Sequence, residues 1–174
     1  MNGPTGRPGP TEYAAFYAPY VDGVPNGDIV AQLRTNGGML DATFGALTED
    51  RGGHRYAEGK WTVREIVGHL VDAERIFAYR ALRIARGDAT PLPGFDENAY
   101  AAASNADTRA LFDLRAELRV VRESSVRLYE SLPDDAWTRL GVASGKEVSV
   151  RALACITVGH AMHHLRVLHE RYGL

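Results

Sequence analysis

Thr62 is followed three residues later by Glu65, and from there apolar side chains return every three or four positions as far as Gly87. A threonine hydroxyl and a glutamate carboxylate at that spacing satisfy free backbone N–H groups reciprocally, so the pair marks a helix start. Trp61 and Ile66 stand where a hydrophobic staple forms around such a cap. Ile66, His69, Leu70, Ala73, Phe77, Tyr79 and Arg80 cover one side at helical spacing. Gly87, after Arg86, ends the run.

Three more segments carry the same period. The first starts near Asn26 or Asp28, either of which can cap it, and fades near Leu47, with Gly37 and Gly38 weakening its middle. Another runs from about Asp107 to Ser131 with a stripe of Leu111, Leu114, Leu118, Val121, Ser125 and Leu128. The last opens at Ser149 and continues to Tyr172, with Leu153, Ile156, His160, His164, Val167 and Leu168 on one face. Four segments of about twenty residues predict an all-α four-helix bundle. Between the second and third, Pro91, Pro93 and Gly94 predict a long crossing segment over 88–106, with Phe95, Asp96, Glu97 and Tyr100 on one short helical turn. RLGVASGKEV, after Pro133, reads as a turn region or small hairpin. Residues 1–12 are expected to form a flexible tail and 13–174 one domain. Tyr13, Phe16, Tyr17 and Tyr20 predict an extended aromatic arm, with Pro19 and Pro25 limiting any helix.

Composition narrows the function. Basic and acidic residues number 20 and 22, a formal net charge of −2, so the strongly basic face of a nucleic-acid binder is not expected. No apolar run approaches the ~18 residues of a membrane span, and the N-terminus has no apolar stretch of a secretory leader. Cys155 is the only cysteine; no intrachain disulfide can form, and a buried thiol in a reducing compartment is expected. The expected location is the cytoplasm.

The histidines carry the chemistry. His160 and His164 are four residues apart on a predicted helix, so they share a face one turn apart, rotated by about 40°. They interrupt an apolar stripe, and His69 interrupts another. Burying imidazole is costly unless its nitrogens are satisfied. His69 lies seven residues from the start of its helix at Thr62, and His164 eight from the end of its own at Tyr172. In an antiparallel pair they meet within ~2 Å of the same height; in a parallel pair they would be ~12 Å out of step. The spacing therefore predicts an antiparallel pair with three imidazoles converging on one divalent metal ion. His163 competes with His164, since the stripe is broad enough for either to face in. His54 and His169 are expected in solvent.

Three neutral imidazoles suit zinc, nickel, cobalt or iron, and leave at least one coordination position open, as in a reactive site and unlike a closed structural one. Asp72, one turn beyond His69, could accept the second ring N–H of a ligand histidine. Asp96 and Glu97, with Tyr100 beside them, could overhang the open position. Arg75, Tyr79, Arg80 and Arg83 line one flank of the second helix, where they could hold an anionic substrate.

KWTVREIVGHLVDAERIFAYRALRIARGD, PLPGFDENAY and SVRALACITVGHAMHHLRVLHERY resemble the DinB/YfiT-like superfamily, from about Tyr13 to Tyr172. The resemblance implies a four-helix bundle with long crossover connections. It further implies a metal site at His69, His160 and His164, nickel or zinc as the ion (with manganese also open), and a homodimer. Relatives with known reactions are thiol S-transferases and a thiol-dependent isomerase. The expectation is therefore a thiol S-transferase that presents a low-molecular-weight thiol to a small-molecule substrate. The alternatives are a metal-dependent hydrolase and a non-catalytic metal-binding stress protein.

Overall fold

The computed structural model describes residues 6–174. Four long helices form the bundle: α2 (Ile29–Gly45), α3 (Val63–Ala85), α5 (Leu111–Glu130) and α6 (Val150–Tyr172). Two short helices, α1 (Ala18–Gly23) and α4 (Glu97–Ala103), are added, with an antiparallel hairpin of β1 (Leu140–Ala143) and β2 (Lys146–Ser149). Each of α3 and α2 packs on both α5 and α6, so α2 and α3 stand diagonally across the bundle.

The directions follow from contacts along the helices. The Tyr172 hydroxyl at the end of α6 donates to the Trp61 carbonyl just before α3, 2.7 Å away. Arg139, just before the hairpin that leads into α6, reaches the Ala85 carbonyl at the end of α3. Those helices are thus antiparallel, as the histidine depths required. On α5, Glu117 pairs with Arg75 and Arg122 with Glu74 of α3. Thr62 and Asp107, both just ahead of their helices, are hydrogen-bonded, so α3 and α5 run parallel. Parallel neighbours need a long return, and residues 86–110, carrying α4, supply it.

Helix boundaries match local chemistry. Asp28 caps α2, the Thr62–Glu65 capping box opens α3, Ser149 caps α6, and Gly173 closes α6 at φ 64°. The third helix begins at Leu111; the stretch from Ala106 to Thr108 forms a separate 3₁₀ turn.

Two expectations are corrected. The aromatic segment is helical, not an extended arm: a 3₁₀ turn spans Ala15–Tyr17, and Pro19 sits in the first turn of α1, where its missing N–H costs nothing. Residues 6–12 of the expected tail are fastened to the domain; the rest of that tail lies outside the described residues. Arg7 donates to the Val21 and Val24 carbonyls, and Glu12 pairs with Arg151 of α6, Nε to Oε2 2.7 Å.

The helix α1 lies unusually close to α6. A Cβ built on Gly159 would stand 2.2 Å from the Tyr20 carbonyl oxygen. Because that contact is backbone, no rotamer can relieve it. Gly159→Ala is expected to push α1 off the bundle at a cost of at least about 1–3 kcal/mol. Urea denaturation measures the loss, and new proteolytic cleavage near Tyr20 reports the displaced helix.

The bundle centre holds an ion pair. Arg122 of α5 is 5% exposed and Glu74 of α3 3%. Arg122 Nε and Nη2 donate to the two Glu74 oxygens at 2.7 and 2.9 Å, and Nη1 donates to Asn36 Oδ1 at 2.7 Å and the Leu33 carbonyl at 3.0 Å. Gly37 leaves α2 room for this side chain: a Cβ there would come within 2.9 Å of Arg122 Cγ.

Candidate metal centre

The antiparallel pair α3 and α6 brings His69, His160 and His164 together. His160 Nε2 lies 2.9 Å from His69 Nε2 and 3.2 Å from His164 Nε2. One ligand atom from each ring can be chosen so that all lie within 4.8 Å of one another. His69 and His160 are buried, at 4% and 8% exposure, and His164 is partly buried. Burial pushes the His69 imidazole down to about 4 and His164 to about 3; it also pulls His160 well below the usual range, with the neighbouring rings adding to the effect. All three rings are therefore neutral at pH 7, the state in which imidazole binds a cation.

The donor set fits an ion better than it fits itself. His160 Nε2 offers one hydrogen or one lone pair, yet faces two other nitrogens. Tetrahedral zinc with bonds of about 2.0–2.1 Å holds its ligand nitrogens about 3.3 Å apart, near the 3.2 Å between His160 and His164.

The walls are aromatic. Trp61 packs on His69 at a centroid distance of 4.7 Å and stacks on His164 at 6.4 Å. Tyr20 and Phe77 meet the His160 ring edge-on at 5.6 and 5.8 Å. Two hollows open from the cluster. One, of about 180 Å³, has Phe77, Ala73, His69 and His160 beneath Tyr17, Tyr20, Phe95 and Glu97. The other, of about 220 Å³, lies on the His164 side, with Trp61, Lys60, Tyr56, Tyr172 and Asn98. A groove of about 500 Å³ between α2 and α5 is larger but contains none of the histidines.

The remaining candidates separate clearly. His163 stands outside the cluster: its ring lies 5.5 Å from Tyr20, its Nδ1 3.3 Å from Arg166, and it borders the second hollow. Glu97 borders the first. Asp96 does not overhang the cluster; its carboxylate caps α4 by accepting from Asn98 N and Ala99 N at 2.9 and 3.1 Å. Asp72 makes no hydrogen bond to the three rings among the described residues. Burial raises its pKa, with Arg75 opposing, and the charges around it are those of Arg75, Arg109 and Glu117. Tyr100 is turned to Phe95, 5.2 Å away, and is half exposed.

Nor are the arginines of α3 arrayed for an anion. Arg75 pairs with Glu117 at 2.7 Å, and Arg83 with Asp88 and the Tyr79 hydroxyl. Arg80 is buried and donates to the Pro93 carbonyl at 2.7 Å and Ser144 Oγ at 3.0 Å, pinning the crossing segment. Helical spacing reveals which side chains share a face; it does not reveal which neighbour claims them. Sequence reasoning missed Trp61 and Tyr20 as walls of the site. Trp61 was visible only as a staple residue, and Tyr20 as part of an arm of unknown docking.

Comparison with known proteins agrees with this architecture. A family profile described as the DinB superfamily matches residues 32–168. A protein of Oceanobacillus iheyensis named "putative metal-dependent hydrolase" is 26% identical over 136 residues, 77% of this chain and 78% of its own. One of the same description from Bacillus licheniformis is 26% identical over 139 residues, 78% of each chain. Among solved structures, YfiT from Bacillus subtilis, described as "a probable metal-dependent hydrolase with an unusual four-helix bundle topology", superposes with a TM-score of 0.76 at 19% identity, over 99% of this chain and 95% of its own. A mycothiol-dependent maleylpyruvate isomerase superposes with a TM-score of 0.67 at 16% identity, over 78% of this chain and 57% of its own. The last two are likenesses of fold. Among the described residues no helix is long and apolar enough to cross a membrane. Since the matched profile spans most of the bundle, both histidine-bearing helices included, the chain belongs to the DinB superfamily.

Proposed function

We propose that this protein is a metal-dependent enzyme acting on a small molecule, with hydrolysis as its reaction. The observation that carries the reading is the convergence of three neutral imidazole nitrogens between two hollows, with His69 and His160 lining one and His164 the other. His69, His160 and His164 would hold the ion. A divalent cation there supplies positive charge that polarises a substrate oxygen and acidifies whatever it coordinates.

The protein's own residues do the rest. Phe77, Tyr20 and Phe95 limit water around the reacting groups and give the substrate an apolar bed. The Glu97 carboxylate is the one formal charge bordering that hollow. The names of the curated relatives support hydrolysis.

Thiol transfer is the second reading, and a specific observation favours it: the cluster opens on two hollows, enough for a thiol on one side and an electrophile on the other. Zinc and nickel are the ions to try first, and the cytoplasm and a homodimer are the proposed setting.

The test begins with tag-free protein stripped and reloaded with zinc or nickel. Reloading is expected to raise stability by about 2.7 kcal/mol at a hundred times the dissociation constant, read as a rise in Tm. Ester, amide and phosphoester panels without thiol, then the same protein with a bacterial thiol and a model electrophile, separate the two reactions. No turnover by loaded over stripped protein in either series would leave only a metal-binding role.

A further inference from the structure

The first hollow has an uneven charge. Its walls are the rings of Tyr17, Tyr20, Phe95 and Phe77, with Phe16 at the rim, and Glu97 is its one formally charged lining residue. Phe16 is 71% exposed. It is held edge-on to Tyr17 and Tyr20, at centroid distances of 5.3 and 6.3 Å, so the rim keeps a phenyl ring in water. Glu97 makes no ion pair among the described residues, and its charge is felt at the Tyr20 hydroxyl, whose pKa is raised first by burial and then by Glu97. The Arg80 guanidinium lies over the Phe95 ring, 5.9 Å from its centroid, and is bonded to Ser144 and Pro93. Aromatic rings gathered around a carboxylate that has no ion pair are surroundings that suit an organic cation.

We infer that this hollow takes a small organic molecule bearing a protonated amine, its ammonium at the rim beside Glu97, Tyr20 and Phe16, its apolar body on Phe77 and Phe95. The inference rests on the proposed function only in placing the reacting end of that molecule at the histidines. An ion held by His69 and His160 would put positive charge at the floor, so the ammonium would be the end that stays outermost, beside Glu97.

The experiment compares 2-phenylethylammonium with its neutral isostere 2-phenylethanol on zinc-loaded protein, by calorimetry or by chemical-shift titration. The ammonium is expected to bind about tenfold tighter than the alcohol on the native chain. Glu97→Gln is expected to abolish that preference by weakening the ammonium alone, with the alcohol's affinity and the zinc content unchanged. Equal affinities on the native chain, a preference that survives Glu97→Gln, or no binding of either probe would overturn the inference. Zinc content, measured on the same samples, reports on the metal site separately: a preference without bound zinc sinks the metal reading and leaves this one standing.

Discussion

His160→Ala is expected to weaken zinc binding by more than about a hundredfold and to reduce metal-dependent turnover to background. Changes that only reorient a ligand already reach ten- to a hundredfold, and this one removes the ligand that faces both others. His69 and His164 would remain, on different helices, without the ring between them. The fold should survive, since Tyr20 and Phe77 flank the ring without hydrogen-bonding to it, and the circular dichroism of the stripped variant should match that of the stripped native chain. His163→Ala is the control. It lies one residue from the cluster, but its Nδ1 faces Arg166, so zinc affinity should stay within about threefold, a small change on the affinity scale. A competition titration with a chromophoric chelator measures both, and similar losses in the two variants would mean that the cluster is drawn wrongly.

Arg122→Leu should produce the largest loss of stability of any single change considered, about 3–5 kcal/mol. Removing the guanidinium strands the Glu74 carboxylate at 3% exposure and takes the partner from Asn36 Oδ1. For a chain of this length that corresponds to a fall in Tm of roughly 6–20 °C. The double variant Glu74→Leu with Arg122→Leu should recover much of the loss, since apolar residues of similar volume can replace a buried pair at little cost. Urea melts of the two give the comparison. A single variant within about 1 kcal/mol of the native chain would show that water reaches the pair.

The bundle was legible because its helices announce themselves locally. Asp28, Thr62 with Glu65, and Ser149 are caps whose partners lie within three residues, and the stripes of α3 and α6 follow the helical period. The antiparallel setting of those two helices was legible for a different reason: His69 and His164 make sense only at a common height. What stayed hidden depends on partners far along the chain. Gly37 and Gly38 looked like weak points in a helix, yet Gly37 makes space for Arg122, a residue that had drawn no attention. Pro19 and the tyrosines around it read as an arm, because nothing local shows that Gly159 would admit the Tyr20 backbone against α6. Asp72 and Asp96 have the right residue type near the right place. The side chains around one and the capping of the other direct them elsewhere, and neither is visible in spacing.

The proposed chemistry requires three imidazoles to share one cation. Metal content per chain, measured by plasma mass spectrometry on tag-free protein offered zinc and nickel, tests it most directly, with His69→Ala and His164→Ala alongside. The expected result is one ion per chain for the native protein and almost none for either variant. A native protein that takes up no metal, or variants that keep theirs, would contradict it.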